Sequence, residues 1–276
     1  MRFGNRLLLL PALLLALCMF GVPVALVLEQ AFVDPEPGLA NFVKFFSRSV
    51  YVTVFVNTLS VSAVVATACL LIGYPMALFV AGAPRSRRAI LLFLVLVPMW
   101  SSILVRTYAW MVVLGREGIV NRLLIWLGLT DEPVTLLFTT TTVYVAMTQV
   151  LLPIMILTCY TAMVRIDPGL VRAARIMGAG PFRAFRHVFL PLSLEGAITG
   201  WSVIFILSMG FFIIPALVGG RRDTLLGNMI VNQVGQANWG FAGAMALILL
   251  VATVLLLGLV QLVTRRLTFS EREALA

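Results

Sequence analysis

Residues 165–191 read RIDPGLVRAARIMGAGPFRAFRHVFLP, a basic and amphipathic stretch that lies between two long apolar runs. Asp167 can accept a hydrogen bond at the start of a helix whose first turn carries Pro168, where a missing N–H has no consequence. Gly178 stands where a residue free to adopt positive φ commonly ends a helix. The apolar stripe of this helix consists of Leu170, Ala174 and Met177. The stretch therefore predicts a short helix followed by a glycine turn.

A second short helix is predicted after the turn, opened by Gly180-Pro181 and ended by Pro191. One face of this helix carries Phe182, Phe185 and Phe189. Two helices joined by a glycine turn form a compact element that is suited to binding in the groove of a partner protein. We refer to residues 165–191 as the 165–191 element.

The composition indicates an integral membrane protein. The chain is 61% hydrophobic and only 11% charged, with a mean hydropathy of +1.06, whereas a soluble domain has about 25% charged residues. The formal net charge of +9 does not indicate nucleic-acid binding, because the basic residues lie in short loops between apolar runs. The cysteines, Cys18, Cys69 and Cys159, all lie inside apolar runs, which argues against a disulfide framework.

The apolar runs predict an all-α protein with six transmembrane helices and a cytoplasmic two-helix loop. The predicted spans are Leu7–Leu28, Tyr51–Val80, Ala89–Leu114, Leu136–Met163, Ser193–Val218 and Phe241–Thr264. The first run is too long for a signal peptide, so we expect it to be retained as a span. Short helices are expected at Asn41–Ser49 and Leu226–Val234. We divide the chain into an N-terminal helix and outer connection (1–50), a membrane domain (51–264) and a cytoplasmic tail (265–276), with Arg265 and Arg266 ending the last helix.

The distribution of basic residues predicts the orientation in the membrane. Of the twenty Lys and Arg residues, thirteen lie on the side that holds both termini and the 165–191 element, and six lie on the other side. Arg106 is the remaining one and falls inside a predicted span. By the positive-inside rule, both termini and the 165–191 element are cytoplasmic.

The sequence offers little for catalysis. Its only lysine is Lys44, so it has no phosphate-binding loop and is not expected to bind or hydrolyse ATP. Its one histidine, His187, has no metal-ligand companions, and no metal site or catalytic residue is expected. The acidic residues next to spans, Glu29 and Glu195, lie at span ends rather than at the midplane, where ion-coupled carriers commonly place such groups.

The order Ala173-Ala174, Gly178, then Val188-x-Leu190-Pro191 resembles the EAA loop of ABC-importer permeases, with Arg172 at the position that is usually Glu. In that family the loop couples the permease to a cytoplasmic ABC ATPase dimer, which binds ATP and Mg²⁺. The resemblance therefore implies that the ATPase contacts lie within this element. The residues concerned are Asp167, Pro168, Leu170, Arg172, Ala173, Ala174, Met177, Gly178, Ala179, Phe182, Phe185, Val188, Leu190 and Pro191.

The resemblance extends over residues 51–264 and is strongest to the spermidine/putrescine-type permeases with the type I importer fold. It is carried by strings that include Asn57-Thr58-Leu59, Gly73-Tyr74-Pro75, Arg106-Thr107-Tyr108-Ala109-Trp110 and Ser208-x-Gly210-Phe211. It implies a bacterial inner-membrane permease that forms half of a translocation pathway beside a second, similar permease. It also implies delivery by a periplasmic or extracellular solute-binding protein of a polyamine, a related amine or an amino-acid derivative.

The residues expected along the pathway are Asn57, Arg106, Tyr108, Trp110, Gln149, Ser208 and Phe211. Asn57 belongs to a polar stretch that also suits helix–helix packing. Arg106 either lines the pathway or anchors the helix at the interface. A polycation would be repelled by Arg106 and by the outer pair Arg221-Arg222 unless they face away. The alternative to an ATP-driven permease is an ion-coupled carrier or channel whose basic loop contacts only lipid headgroups.

Overall fold

The computed structural model describes residues 11–273 apart from residues 12, 16 and 35, and describes side chains only as far as residue 262. Every regular element in that part of the chain is helical. We number the helices α1 (Leu13–Val33), α2 (Ala40–Ser47), α3 (Ser49–Gly82), α4 (Arg85–Trp100), α5 (Ile103–Leu114), α6 (Ile119–Trp126), α7 (Thr140–Val164), α8 (Pro168–Ile176), α9 (Pro181–Met209), α10 (Ile213–Val218), α11 (Leu226–Gly235) and α12 (Trp239–Glu273).

Five of these helices are long and apolar enough to cross a membrane, namely α1, α3, α7, α9 and α12. A sixth span results if the bent pair formed by Arg85–Trp100 and Ile103–Trp126 counts as one. The prediction of an all-helical membrane protein is confirmed. The N-terminal residues before Pro11 and the last three residues of the tail lie outside the described residues.

The predicted third span, Ala89–Leu114, is wrong as a single continuous helix. The chain bends by 92° between α4 and α5. Helix α4 ends in a tight turn at Val97–Trp100 that contains Pro98, and the Ser102 hydroxyl then accepts a hydrogen bond from the Leu104 N–H at 3.3 Å. A proline followed by two serines breaks the helical ladder and caps the next helix, despite the apolar composition around it.

The predicted fifth span, Ser193–Val218, is also interrupted, because α9 ends at Met209 and a separate helix, α10, begins at Ile213. The prediction that Pro191 ends a helix is wrong as well. Helix α9 runs through Pro191 by widening into a π-turn at Phe185–Phe189, in which the Leu190 N–H donates to the Phe185 carbonyl. The wider turn accommodates a residue that has no N–H to donate.

Other helix ends differ from the prediction. Helix α1 continues to Val33, beyond the predicted end at Leu28, and α7 begins at Thr140 rather than Leu136. Arg265 and Arg266 do not end the last helix, which runs to Glu273 because arginine favours helical backbone. The short helices expected near Asn41–Ser49 and Leu226–Val234 are confirmed as α2 and α11. Helix α6 was not predicted.

The chain divides into two compact units, of which the first comprises residues 1–55 and 226–276. Its core contains Phe45, Leu226, Phe241 and Met245, all fully buried. The side-chain amide of Asn41 donates to the carbonyls of Ala31 (3.1 Å) and Asp34 (2.7 Å). The Asp34 carboxylate accepts the Gly240 N–H at 2.9 Å and thereby caps the start of α12. These polar contacts fix the connection between α1 and α2.

The second unit, residues 56–225, is built on close contacts among α3, α7 and α9. A Cβ atom at Gly73 of α3 would lie 2.7 Å from the Met155 side chain of α7, and one at Gly200 of α9 would lie 2.7 Å from the Met155 sulfur. Small residues let helix backbones approach closely, as is common in membrane proteins. Met155 therefore fills the space between two glycines.

Candidate functional site

The first half of the 165–191 element folds as the sequence predicts. The Asp167 carboxylate accepts the Gly169 N–H at 2.8 Å, and Pro168 is the first residue of α8. The helix ends at Ile176, and Gly178 adopts a φ of +91°. That backbone conformation disfavours residues with a Cβ atom, so the glycine sets the turn that reverses the chain toward α9.

Several large apolar side chains of the 165–191 element are exposed. Of the predicted stripe only Ala174 is buried, with 7% of its surface exposed, whereas Met177 is 81% exposed. Ile176 is 86% exposed and Phe182 is 71% exposed. Soluble protein surfaces tolerate single exposed apolar residues, but a cluster within one short element is typical of an interaction site.

The element is joined to a membrane span without a break. Ala184 is buried in the first turn of α9, and the rings of Phe185 and Phe189 stack with centroids 5.7 Å apart. Residues four apart lie on the same side of a helix, which lets these two rings meet. Phe182, the third member of the predicted aromatic face, is exposed.

The remaining residues of the predicted ATPase contact set fall into two groups. Arg172 and Ala173 are exposed on α8, and Leu170 is exposed on the same helix. The half-buried members are Ala179, Val188, Leu190 and Pro191. The surface of the element thus combines exposed apolar side chains with exposed arginines, which are Arg165, Arg172, Arg175, Arg183 and Arg186.

The predicted pathway residues are brought together only in pairs. The indole N–H of Trp110 donates to the Gln149 side-chain oxygen at 3.4 Å. The Phe211 N–H donates to the carbonyl of Ser208 at 3.2 Å, where the chain leaves α9. Ser208 is fully buried and Tyr108 is exposed. The set therefore does not form one continuous cluster of hydrogen-bonded side chains within the described residues.

Two pathway candidates donate hydrogen bonds to backbone carbonyls. The Asn57 side-chain amide donates to the carbonyls of Arg222 (3.1 Å) and Thr224 (3.4 Å), so it fixes the segment that follows α10. The Arg106 guanidinium donates to the Ser101 carbonyl at 3.2 Å and thereby bridges the break between α4 and α5. Both contacts give these residues a structural role that the sequence left open.

The sequence analysis missed Asp223, which is 4% exposed. Its carboxylate accepts the Thr140 hydroxyl at 2.6 Å and the Gly220 N–H at 2.8 Å. The carboxylate thus ties the turn after α10 to the start of α7. In the sequence, Asp223 follows Gly219-Gly220 and two arginines. This pattern is typical of an exposed charged loop and does not indicate a buried carboxylate.

Contacts between α3 and α9 were also missed. The Tyr74 and Ser193 hydroxyls lie 2.5 Å apart, and the Trp201 indole N–H donates to the Thr67 hydroxyl at 3.2 Å. These bonds connect α9 to α3 in the part of α9 that follows the 165–191 element. Among the residues searched, no group of three or more His, Cys, Asp or Glu side chains is arranged to hold a metal ion.

Comparison with known proteins identifies the family. Residues 70–269 match the family described as "Binding-protein-dependent transport system inner membrane component". The spermidine/putrescine transport system permease protein PotB of Escherichia coli (strain K12) is 33% identical over 230 residues, which cover 83% of both chains. The PotB protein of Haemophilus influenzae is 37% identical over 220 residues, covering 79% of this chain and 77% of that protein.

A solved structure supports the fold. A chain of the bacterial alginate ABC transporter, crystallised in complex with an alginate pentasaccharide-bound periplasmic protein, superposes with a TM-score of 0.76 at 21% identity. The match covers 96% of this chain and 95% of that one. This protein therefore belongs to the family of inner-membrane components of binding-protein-dependent transport systems, as a multi-pass permease subunit.

Proposed function

We propose that this permease is driven by a separate cytoplasmic ABC ATPase dimer that binds the 165–191 element. The observation that carries the proposal is the group of exposed apolar side chains at Ile176, Met177 and Phe182, which lie at the end of α8 and the start of α9. An apolar cluster inserted into a groove of a partner supplies binding energy, and the surrounding arginines supply complementarity to an acidic rim.

The orientation required for this docking agrees with the charge distribution. Thirteen of the basic residues lie on the side of the 165–191 element, and this excess favours a cytoplasmic position for that side and for both termini. The charge pattern and the exposed apolar cluster are independent features of the chain. Both favour the same face for contact with a cytoplasmic protein.

Movement of the ATPase would reach the membrane through α9. This helix begins inside the 165–191 element and continues to Met209 without interruption. It contacts α3 through the Tyr74–Ser193 and Trp201–Thr67 hydrogen bonds. A stiff helix anchored at several points transmits a displacement at one end to the helices packed on it. ATP and Mg²⁺ would act on the ATPase, while this chain binds no cofactor.

We assign the substrate class from the relatives. The PotB proteins, named for spermidine and putrescine transport, are more than 30% identical over most of the chain. We therefore propose a polyamine, or a related amine or amino-acid derivative, delivered by a solute-binding protein and passed between this subunit and a second, similar permease. Arg106 is itself a cation and donates to the Ser101 carbonyl. Recognition of a polyamine would therefore depend on polar and aromatic groups.

Proteoliposomes containing the assembled importer test the proposal. Uptake of radiolabelled putrescine should require the binding protein and ATP inside the vesicle, with the nucleotide site of the ATPase facing the same compartment as the 165–191 element. Dissipation of proton and sodium gradients should leave the rate unchanged. Uptake that follows an ion gradient and ignores ATP would contradict the proposal and favour a secondary carrier.

A further inference from the structure

We propose that a groove between α3 and α4 binds one anionic phospholipid of the cytoplasmic leaflet, with its phosphate at Arg87. Two neighbouring cavities of about 550 and 590 Å³ lie along these helices. Both are lined by Phe79 and Leu91, so they form a single groove. We call it the α3–α4 groove.

The walls of the α3–α4 groove suit a hydrocarbon chain. Beyond the shared residues, its outer part is lined by Leu78 and Ile90, and its deeper part by Leu94 and Ile156. Phe79 is 71% exposed, so the groove is open along one side. An open apolar channel of this kind accepts a flexible chain from the surrounding bilayer at little cost in desolvation.

The length of the groove corresponds to one leaflet. Its lining residues on α4 extend from Arg87 to Pro98. Eleven residues of helix rise about 16 Å, and half of a hydrocarbon core of about 30 Å is about 15 Å. A groove that ran through both leaflets would be twice as long. Its dimensions therefore fit the acyl region of a single lipid.

The charge at one end of the groove selects the headgroup. Arg87 lines the outer part of the groove and is exposed, and no described residue forms a hydrogen bond or ion pair with its guanidinium. Its neighbour Arg88 is engaged, because it donates to the carbonyls of Ala81 (2.7 Å) and Ala83 (3.1 Å) at the end of α3. Arg87 is thus the guanidinium available to a phosphate.

Local sequence strengthens this complementarity. No acidic residue occurs between Pro37 and Arg116, and Arg85 adds a second exposed positive charge in the same turn.

The wall away from Arg87 is apolar except for Gln149, whose side-chain oxygen accepts the Trp110 N–H. One charged end and such a wall match a phospholipid, whereas a helix of a partner subunit would not need a phosphate-binding group at this end. Arg85, Arg87 and Arg88 are among the thirteen basic residues of the side proposed above to be cytoplasmic, and the choice of leaflet rests on that proposal.

The site can be tested by native mass spectrometry of the purified importer complex. The complex is titrated separately with phosphatidylglycerol and with phosphatidylcholine. The wild-type complex should retain one tightly bound phosphatidylglycerol in preference to phosphatidylcholine. Arg87→Gln should weaken that lipid by about fivefold, because each basic residue near the surface contributes about that factor for anionic lipid. Arg85→Gln, which changes an arginine outside the groove lining, should have a smaller effect.

A second variant narrows the outer part of the groove without changing charge. Gly82 lines the groove, and a Cβ atom there would meet nothing within 4 Å. Gly82→Leu should reduce binding of both lipids, whereas Gly258→Leu, at an equally open helical glycine of the other unit, should not.

Equal retention of the two lipids, or equal losses in Arg85→Gln and Arg87→Gln, would overturn the proposal. So would a photocross-linker at position 79 that captures the second permease and no lipid. ATP-driven uptake measured on the same preparations separates this site from the proposed transport function, because either can fail while the other holds.

Discussion

Helix α9 carries two regions built in opposite ways. In its middle, small residues bring backbones into contact, as a Cβ atom at Gly200 would lie 2.7 Å from the Met155 sulfur. At its start, the 165–191 element leaves Met177 and Phe182 largely exposed. The first region is packed within its own chain, whereas the second leaves apolar side chains uncovered. One continuous helix thus joins a packed core to the surface that we propose as the ATPase contact.

The contrast between the two regions predicts that substitutions in them have different effects. A core substitution should remove folded protein, whereas a substitution in the exposed cluster should leave folded protein that does not transport. Amount of folded complex and uptake per folded complex are therefore the two quantities to measure together.

The largest effect is expected at Gly196, which faces Ala162 and the Thr158 carbonyl of α7. Gly196→Leu forces bulk into this contact and should lower the free energy of unfolding by about 3 kcal/mol. Thermal unfolding in detergent, followed by loss of the monodisperse peak in size-exclusion chromatography, measures this change. Gly235→Leu is the control, because nothing lies within 4 Å of a Cβ atom there. Equal stability of both variants would show that the core is looser than the contacts imply.

The next effect concerns the buried carboxylate of Asp223. Asp223→Ala leaves the Thr140 hydroxyl and the Gly220 N–H without their acceptor, which should cost about 1–3 kcal/mol of stability. Hydrogen exchange should rise in the turn after α10 and stay unchanged in α8. Asp131→Ala, at an exposed carboxylate, serves as the comparison. Unchanged hydrogen exchange in this turn would show that Asp223 does not stabilise it.

A charge placed in the exposed cluster should affect transport alone. Met177→Asp should lower ATP-driven uptake by about tenfold, as the loss of one apolar anchor does at other interfaces. The thermal unfolding temperature should remain that of the wild-type protein, because the side chain is 81% exposed. Leu129→Asp, at another exposed apolar position, should leave uptake unchanged. Loss of folded Met177→Asp protein would mean that the cluster packs on its own chain.

The smallest effect is expected at the junction of the two regions. Pro191→Ala restores an N–H and lets the π-turn at Phe185–Phe189 relax toward an ordinary α-turn. The change in the free energy of unfolding should stay below about 1 kcal/mol. The amides of residues 185–190 should become better protected from exchange, with uptake reduced less than in Met177→Asp. An unchanged exchange pattern would show that Pro191 does not maintain the π-turn.

Sequence reasoning predicted the features that depend on local chemistry. The cap at Asp167, the positive φ at Gly178 and the apolar spans all follow from side-chain type and periodicity. It did not predict the break after Trp100, because composition averages over the proline and serines that interrupt the run. The continuity of α9 through Pro191 was missed because a π-turn has no distinct signal in the sequence.

The candidate site was predicted in part. Met177 and Phe182 were selected from the pattern of the 165–191 element, but Ile176 lies off the apolar stripe and its exposure depends on how α8 packs. Asn57 was selected for polarity, and its hydrogen bonds to the Arg222 and Thr224 carbonyls were not predicted. Residues 165 positions apart meet only through the fold, so no local pattern could have indicated this contact.

The central claim is that the 165–191 element contacts a separate ATPase. A photoreactive amino acid at position 176, compared with the same group at position 129, tests it in membranes that contain the intact importer. The account predicts an adduct between this permease and an ATP-binding protein from position 176 and none from position 129. Adducts from position 176 to lipid alone, with the complex intact, would contradict it.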